Sequence, residues 1–310
     1  MSLMRSFLLA ASQSQWLRER APKHAFVRRA VSRFMPGEEL EDMLRAVQGL
    51  APEGIHGVFT RLGENVTDPA EADAVAAQYL DAIDRVRGVA PPPEPSVKPT
   101  QLGLDFDRER CYAHLRALAA RADALGNYLW IDMEGTPYVD MTLDLTRRVR
   151  AEFPRVGVCL QAYLYRTADD LAAMIEIGAG VRLVKGAYSE PRTLALPKKA
   201  DVDRNYRALA EVMLGERARS AGVRAVLGTH DVSLIEDMRQ HGQRRHLPAT
   251  AFEVHMLYGI QREAQVRLAR DGVPVRVLVA YGAYWFPWYM RRLAERPANV
   301  WFILRSLRER

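Results

Sequence analysis

Eight short apolar runs, each ending in a polar or glycine-containing tip and followed by a stretch of helical spacing, recur along the chain past residue 50. The expected strands are Ile55 to Leu62, Val97 to Leu102, Tyr128 to Met133, Val156 to Tyr163, Val181 to Ala187, Ala225 to Thr229, Ala251 to Leu257 and Val275 to Tyr281. Between them, helical spacing covers Asp68 to Arg87, Arg108 to Leu125, Val139 to Phe153, Asp201 to Ala221 and Gln261 to Asp271. Parallel strands joined by right-handed helical crossovers close most economically into an α/β fold of the (β/α)8 TIM-barrel type, which leaves no exposed edge. An open doubly wound sheet calls for a glycine-rich phosphate loop after its first strand, and Arg61-Leu62-Gly63-Glu64-Asn65 lacks one. The tract Pro91-Pro92-Pro93-Glu94-Pro95 reads as a stiff connector before the second strand. Residues 1–50 read as amphipathic helices, broken at Met35-Pro36-Gly37 and packed on a barrel of residues 51–310.

Composition narrows the class. With 48% hydrophobic and 26% charged residues the chain has ordinary globular usage, which argues against disorder, fibre and coiled coil. The net charge of +6 comes from arginines dispersed along the chain, a pattern of solvated faces that does not suggest a nucleic-acid surface. Cys111 and Cys159 supply neither a disulfide framework nor a zinc pattern, so a reducing compartment is expected, and Cys159 reads as a small buried side chain. His230 and His255 fall on separate strands with no matching carboxylates, so no metal is expected, and His255 reads as a satisfied core residue. The apolar patch Phe7 to Ala11 is short for a secretory segment, and no run reaches membrane-spanning length. The expected location is the cytoplasm. Peripheral contact with the inner face of the plasma membrane through Leu3, Phe7, Leu8 and Trp16 is a secondary option beside packing on the barrel.

In such a barrel the reactive groups come from the strand ends and the loops after them. Here those tips supply Glu64, Lys98, Asp132, Gln161, Arg182, Lys185, Tyr188, Thr229 and His230. Buried without partners, such groups cost several kcal/mol each (order of magnitude), so they must meet one another or a ligand. Alternation places Arg182, Val184, Gly186 and Tyr188 on one face and Lys185 on the other. Arg182 is open to two readings: an ion pair with Asp132 or Glu134, or a fixed positive charge beside an electron-rich cofactor ring. Lys98 and Asp132 are equally compatible with a plain salt bridge. Gly186, lacking a Cβ, would let a flat ring or a phosphate approach the backbone. Thr229-His230-Asp231 is no hydrolytic triad, because adjacent residues on an extended chain point apart and no serine elbow is present. After the last strand, helical spacing puts Trp285, Trp288 and Arg292 on one side and pairs Arg291 with Glu295. Planar guanidinium forks there suit a carboxylate.

The ordered set Leu62-Gly63-Glu64, VKPTQLG around Lys98, WIDMEG around Asp132, Gln161-Ala162-Tyr163, RLVKGAY from Arg182 to Tyr188, Thr229-His230 and Arg291-Arg292-Leu293-Ala294-Glu295 resembles the proline dehydrogenases over about residues 55–297. The resemblance implies a distorted (β/α)8 barrel that binds FAD noncovalently and sets its last helix over the strand ends. It implies oxidation of L-proline to 1-pyrroline-5-carboxylate by hydride transfer to flavin N5, the first step of proline catabolism to glutamate, with electrons passed to a quinone. Carried over by position, Arg291, Arg292 and Lys98 would hold the proline carboxylate. Leu257, Trp288 and Glu295 would complete the substrate pocket, and Asp132, Arg182 and Tyr188 would be the catalytic group. Cofactor contacts are implied at Met133, Gln161, Arg182 and Val184, along Lys185, Gly186 and Ala187, and at Thr229 and His230. Glu64 and Arg291 would form a gate. Leu278 and Trp288 stand where family members often carry tyrosine, which bears on the shape of the substrate pocket. The competing enzyme reading is a Schiff-base aldolase or lyase using Lys185. Alternation and the absence of a neighbour that would lower the lysine's pKa count against it.

Overall fold

The computed structural model describes residues 31–63 and 65–286. After a non-helical break at residues 35–37, helix α1 (Leu40–Gln48) buries Met43 and Val47 against the barrel. Strands β1 (Ile55–Arg61), β2 (Glu94–Val97), β3 (Leu129–Ile131), β4 (Val156–Gln161), β5 (Gly180–Val184), β6 (Ala225–Gly228), β7 (Glu253–Leu257) and β8 (Val275–Tyr281) pair in sequence order. Each pairing is parallel, and β8 returns to β1 to close the barrel.

Helices α2 (Pro69–Val86), α3 (Arg108–Ala124), α4 (Val139–Glu152), α5 (Thr167–Glu176), α6 (Lys199–Met213), the short α7 (Glu216–Ser220), α8 (Val232–Arg244) and α9 (Arg262–Arg270) make the outer layer. Their starts are written locally. Asp68 accepts the Ala70 N–H at 3.0 Å with Pro69 in the first turn, and Asp107 accepts that of Arg110 at 2.9 Å. Each cap satisfies a donor that the helix itself leaves open. The stretch expected as one helix from Asp201 to Ala221 is two, α6 and α7, parted at Leu214-Gly215. The final helix expected over the strand ends falls outside the described residues.

One expected strand is displaced. Instead of running from Val97 to Leu102, β2 spans Glu94–Val97 and begins within the proline tract, while Pro99–Leu102 is a 3-10 turn. Glu94-Pro95-Ser96 has the look of a loop by hydropathy. Inside the barrel, however, Glu94 is paired: Trp130 Nε1 donates to it at 2.7 Å, and Arg224 and Arg276 approach within 2.8 and 3.0 Å. A carboxylate with three such partners is tolerated where an unpaired one is not.

The interior is built in levels. At the amino-terminal end, Glu94 and Glu253 face Arg224 and Arg276. Above them Trp130 packs edge-on to His255, with ring centroids 5.5 Å apart, and clusters with Val58 and Val226. Room for this indole comes from β4: a Cβ on Gly157 would fall 2.6 Å from Trp130 Cζ3. Trp130 and its charged neighbours thus fill the lower barrel and leave the carboxyl end for a site.

Candidate active site

A cavity of about 470 Å³ opens at the carboxyl end, within the range of about 300–1,000 Å³ usual for small-molecule sites. It collects the sequence-expected groups strand by strand. Lys98 enters from the end of β2, Asp132 and Met133 from β3, and Gln161 from β4. Arg182, Val184, Lys185, Gly186, Ala187 and Tyr188 follow from β5 and its loop. Thr229 and His230 come from the end of β6, and Leu257 and Leu278 from β7 and β8. Glu64, Trp288, Arg291, Arg292 and Glu295 lie outside the described residues.

Arg182, 4% exposed, forms an ion pair, with Nη2 at 2.5 Å from Asp132 Oδ1, and it also lines the cavity. Its guanidinium also stands 5.1 Å from the Trp130 ring centroid, a cation–π contact from below. Ser96 and Cys159 touch both members of this pair. Neither stood out in the sequence as a functional candidate, because a serine and a cysteine inside short strands carry no spacing signal.

Lys98 does not bridge to Asp132; among the described residues it forms no ion pair. Its strand-end position is set by the turn that follows. The Glu134 carboxylate accepts the Thr100 N–H at 3.0 Å and the Thr100 hydroxyl at 2.6 Å, anchoring the loop just past Lys98. The Glu134 backbone carbonyl also accepts Gln161 Nε2 at 3.2 Å. That bond fixes the amide's orientation and leaves Gln161 Oε1 buried with no hydrogen-bond partner among the described residues. A buried acceptor left open calls for a donor on a ligand.

Lys185 points away from Arg182, as alternation requires, and is doubly paired with Asp203 Oδ1 at 2.6 Å and Asp231 Oδ2 at 2.7 Å. Burial alone would raise the Asp231 carboxyl. Hydrogen bonds from Lys185 and Ser233 outweigh it and hold the group well below the usual carboxylate range. Lys199, at the start of α6, pairs with Asp203 and also lines the cavity. Three of the chain's five lysines therefore line one site, although Lys199 gave no sign of this in the sequence.

Two residues have surroundings that the sequence did not announce. Gly186 has φ +117°, and the place where its Cβ would stand is filled by the Tyr163 ring, 2.3 Å from Cδ1. The glycine there answers to tyrosine packing and backbone conformation. His255 is buried, as expected of a core histidine, but among the described residues neither ring nitrogen is hydrogen-bonded. Glu253 Oε2, at 3.7 Å, is too far for such a bond. Burial pushes the imidazole down to about 3, so it is neutral at the floor of the cavity.

Fold and site together define an α/β-barrel enzyme with one small-molecule cavity at its strand ends. The family model for proline dehydrogenase matches residues 43–305. Proline dehydrogenase 1 of Bacillus subtilis is 35% identical over 305 residues, 98% of this chain and 99% of that one. The proline dehydrogenase of Deinococcus radiodurans is 36% identical over 280 residues, 89% of each. This chain belongs to the proline dehydrogenase family, oxidoreductases that act on proline. Among solved structures, proline utilization A of Bdellovibrio bacteriovorus, inactivated by N-propargylglycine, superposes with a TM-score of 0.80 at 21% identity. That match covers 94% of this chain and 36% of the other, so the chain spans about a third of the larger protein's length and the likeness concerns the fold. No helix among the described residues is long and apolar enough to cross a membrane.

Proposed function

We infer that this protein oxidises L-proline to 1-pyrroline-5-carboxylate with bound FAD and hands the electrons to a quinone. One observation carries the reading: Lys98, which forms no ion pair among the described residues, shares a cavity with the Asp132–Arg182 pair and the acceptor Gln161 Oε1.

The residues fit a flavin. Gln161 Oε1 is a buried acceptor that matches the N–H on a flavin's pyrimidine edge. Arg182 is a charge fixed from below, and Met133, Val184, the backbone of Lys185 to Ala187, Thr229 and His230 line the remaining wall. When bound, a flavin supplies the two-electron oxidation that no side chain here performs.

The substrate's demands fall on the chain itself. Proline must lose a hydride from the ring carbon beside nitrogen and a proton from the nitrogen, leaving a C=N bond. Lys98 binds the carboxylate, a role shared with Arg291 and Arg292 on the sequence resemblance. Asp132 Oδ2, which has no hydrogen-bond partner among the described residues, is the acceptor available to the ring nitrogen. Tyr188 and Leu257 bound the substrate side, Trp288 and Glu295 belong to the same pocket by resemblance, and Glu64 with Arg291 gates the mouth. Clamping of this kind orients the reacting carbon, an effect worth about 7–11 kcal/mol at its upper limit. The quinone rests on the sequence resemblance, while the peripheral membrane contact and the packing of residues 1–50 on a catalytic domain of residues 51–310 rest on the amphipathic pattern of the N-terminal sequence. Lys185 does not serve a Schiff-base reaction in this reading, since its Nζ is taken up by two carboxylates, Asp203 and Asp231.

The test is the absorption spectrum of purified, FAD-reconstituted protein without oxygen. A yellow protein that bleaches on addition of L-proline is expected, with Lys98→Met raising the proline concentration for half-bleaching at least about tenfold. A colourless protein, or one whose spectrum ignores proline, removes the proposal.

A further inference from the structure

Carboxylate and guanidinium groups left to themselves close into a two-pronged fork, each oxygen meeting its own N–H. Asp132 and Arg182 do not. Their contact is one-pronged, Nη2 to Oδ1 at 2.5 Å, although both groups are buried or nearly so.

Two wedges account for this. Ser96, from β2, donates to Asp132 Oδ1 at 3.1 Å and accepts from Arg182 Nη2 at 2.6 Å. Cys159, from β4, donates to the same oxygen at 3.3 Å and accepts from Arg182 Nε at 2.8 Å. The two stand in the same relation to the pair, one on each side of β3, and they are 0% and 5% exposed. Burial pushes the Cys159 thiol up to about 12, so its S–H persists as a donor. Oδ1, Nε and Nη2 are thereby occupied. Among the described residues Asp132 Oδ2 and Arg182 Nη1 have no partner, and Asp132 keeps 20% of its side chain exposed on the cavity.

We propose that Ser96 and Cys159 are matched positioning residues that hold the Asp132–Arg182 pair open, so that Oδ2 and Nη1 alone are offered to what binds in the cavity. The proposal rests on the flavin-dependent reading above. Removing either wedge lets the fork close and withdraws Oδ2 from the cavity. The two deletions therefore share one consequence.

The experiment compares Ser96→Ala, Cys159→Ala, their combination and the conservative Cys159→Ser in the FAD-loaded protein. Three quantities are read: the rate of flavin bleaching by saturating proline without oxygen, the midpoint potential of the bound flavin, and the thermal midpoint. Each alanine variant should bleach at least about tenfold more slowly, the scale of a lost hydrogen bond to a charged group. The proline concentration for half-maximal rate should move by less than about threefold. The double variant should be little slower than the slower single, and Cys159→Ser should behave as wild type. The flavin potential should shift in the alanine variants and stay in place in Cys159→Ser, a change that loss of packing alone does not produce.

Alanine variants that fold, bleach at the wild-type rate and keep the wild-type potential overturn the proposal, as does a Cys159→Ser variant as slow as Cys159→Ala. Should Ser96→Ala not fold, the comparison of the two Cys159 variants decides alone. A wild-type protein that does not bleach overturns the reading beneath, which separates that failure from this one.

Discussion

Lys185 Nζ lies 2.7 Å from Asp231 Oδ2, and the same ammonium reaches Asp203 at 2.6 Å, so a lysine at the rim of the cavity is tied down by two carboxylates. Both carboxyls are held below their ordinary range, each against the raising effect of burial, by Lys185 together with neighbouring donors. A carboxyl depressed in the folded state contributes stability above its unfolded pKa, and that contribution is lost as pH falls toward the folded value.

Lys185→Met should therefore lower stability at pH 7 by about 2 kcal/mol, the scale of hydrogen bonds to charged groups. The gap between variant and wild type should narrow as pH drops below about 4. Urea unfolding midpoints at pH 7 and pH 3.5 measure both. A gap that is constant across that range would show that the carboxylates are not coupled to the lysine.

Gly186→Ala meets two obstacles: φ at +117° and the Tyr163 ring 2.3 Å from the new methyl group. Strain and overpacking of this kind each cost on the order of 1–3 kcal/mol. The expected result is a clear loss of thermal stability that is smaller when Gly186→Ala is made in a Tyr163→Ala background, because the clash is relieved while the backbone strain remains. Equal losses in both backgrounds would assign the whole effect to the backbone.

His255 is neutral when folded, pushed by burial from 6.5 to about 3, and takes up a proton near 6.5 once unfolded. Between those values the unfolded chain binds more protons, so stability is complete above about pH 6.5 and declines as pH falls toward 3. His255→Gln, which cannot titrate, should flatten that part of the profile. Denaturant midpoints of the two proteins at half-unit pH steps provide the check, and a wild-type curve already level from pH 6.5 to 4 would falsify this account.

Much of the site was legible before any coordinates. Lys98, Asp132, Gln161, Thr229 and His230 end apolar runs, Arg182 interrupts one, and all line the cavity. The position of β2 was not legible, because Glu94 and Ser96 look like loop residues until the charges facing them inside the barrel are known. The Tyr163 ring beside Gly186 was not legible either, since nothing local announces that it packs where the glycine's Cβ would be.

Alternation along each strand and the spacing of the helices are local quantities, and from them the sequence alone determined the eightfold barrel and the tips that would face a ligand. Which polar group meets which was decided only by closure of the sheet. Ser96 and Arg182 are 86 residues apart in the chain and 2.6 Å apart in space, a distance set by the strand order across β2 to β5. No short-range pattern records that contact, because a hydrogen bond depends on position in three dimensions, while periodicity reports only which side of its own strand a residue occupies.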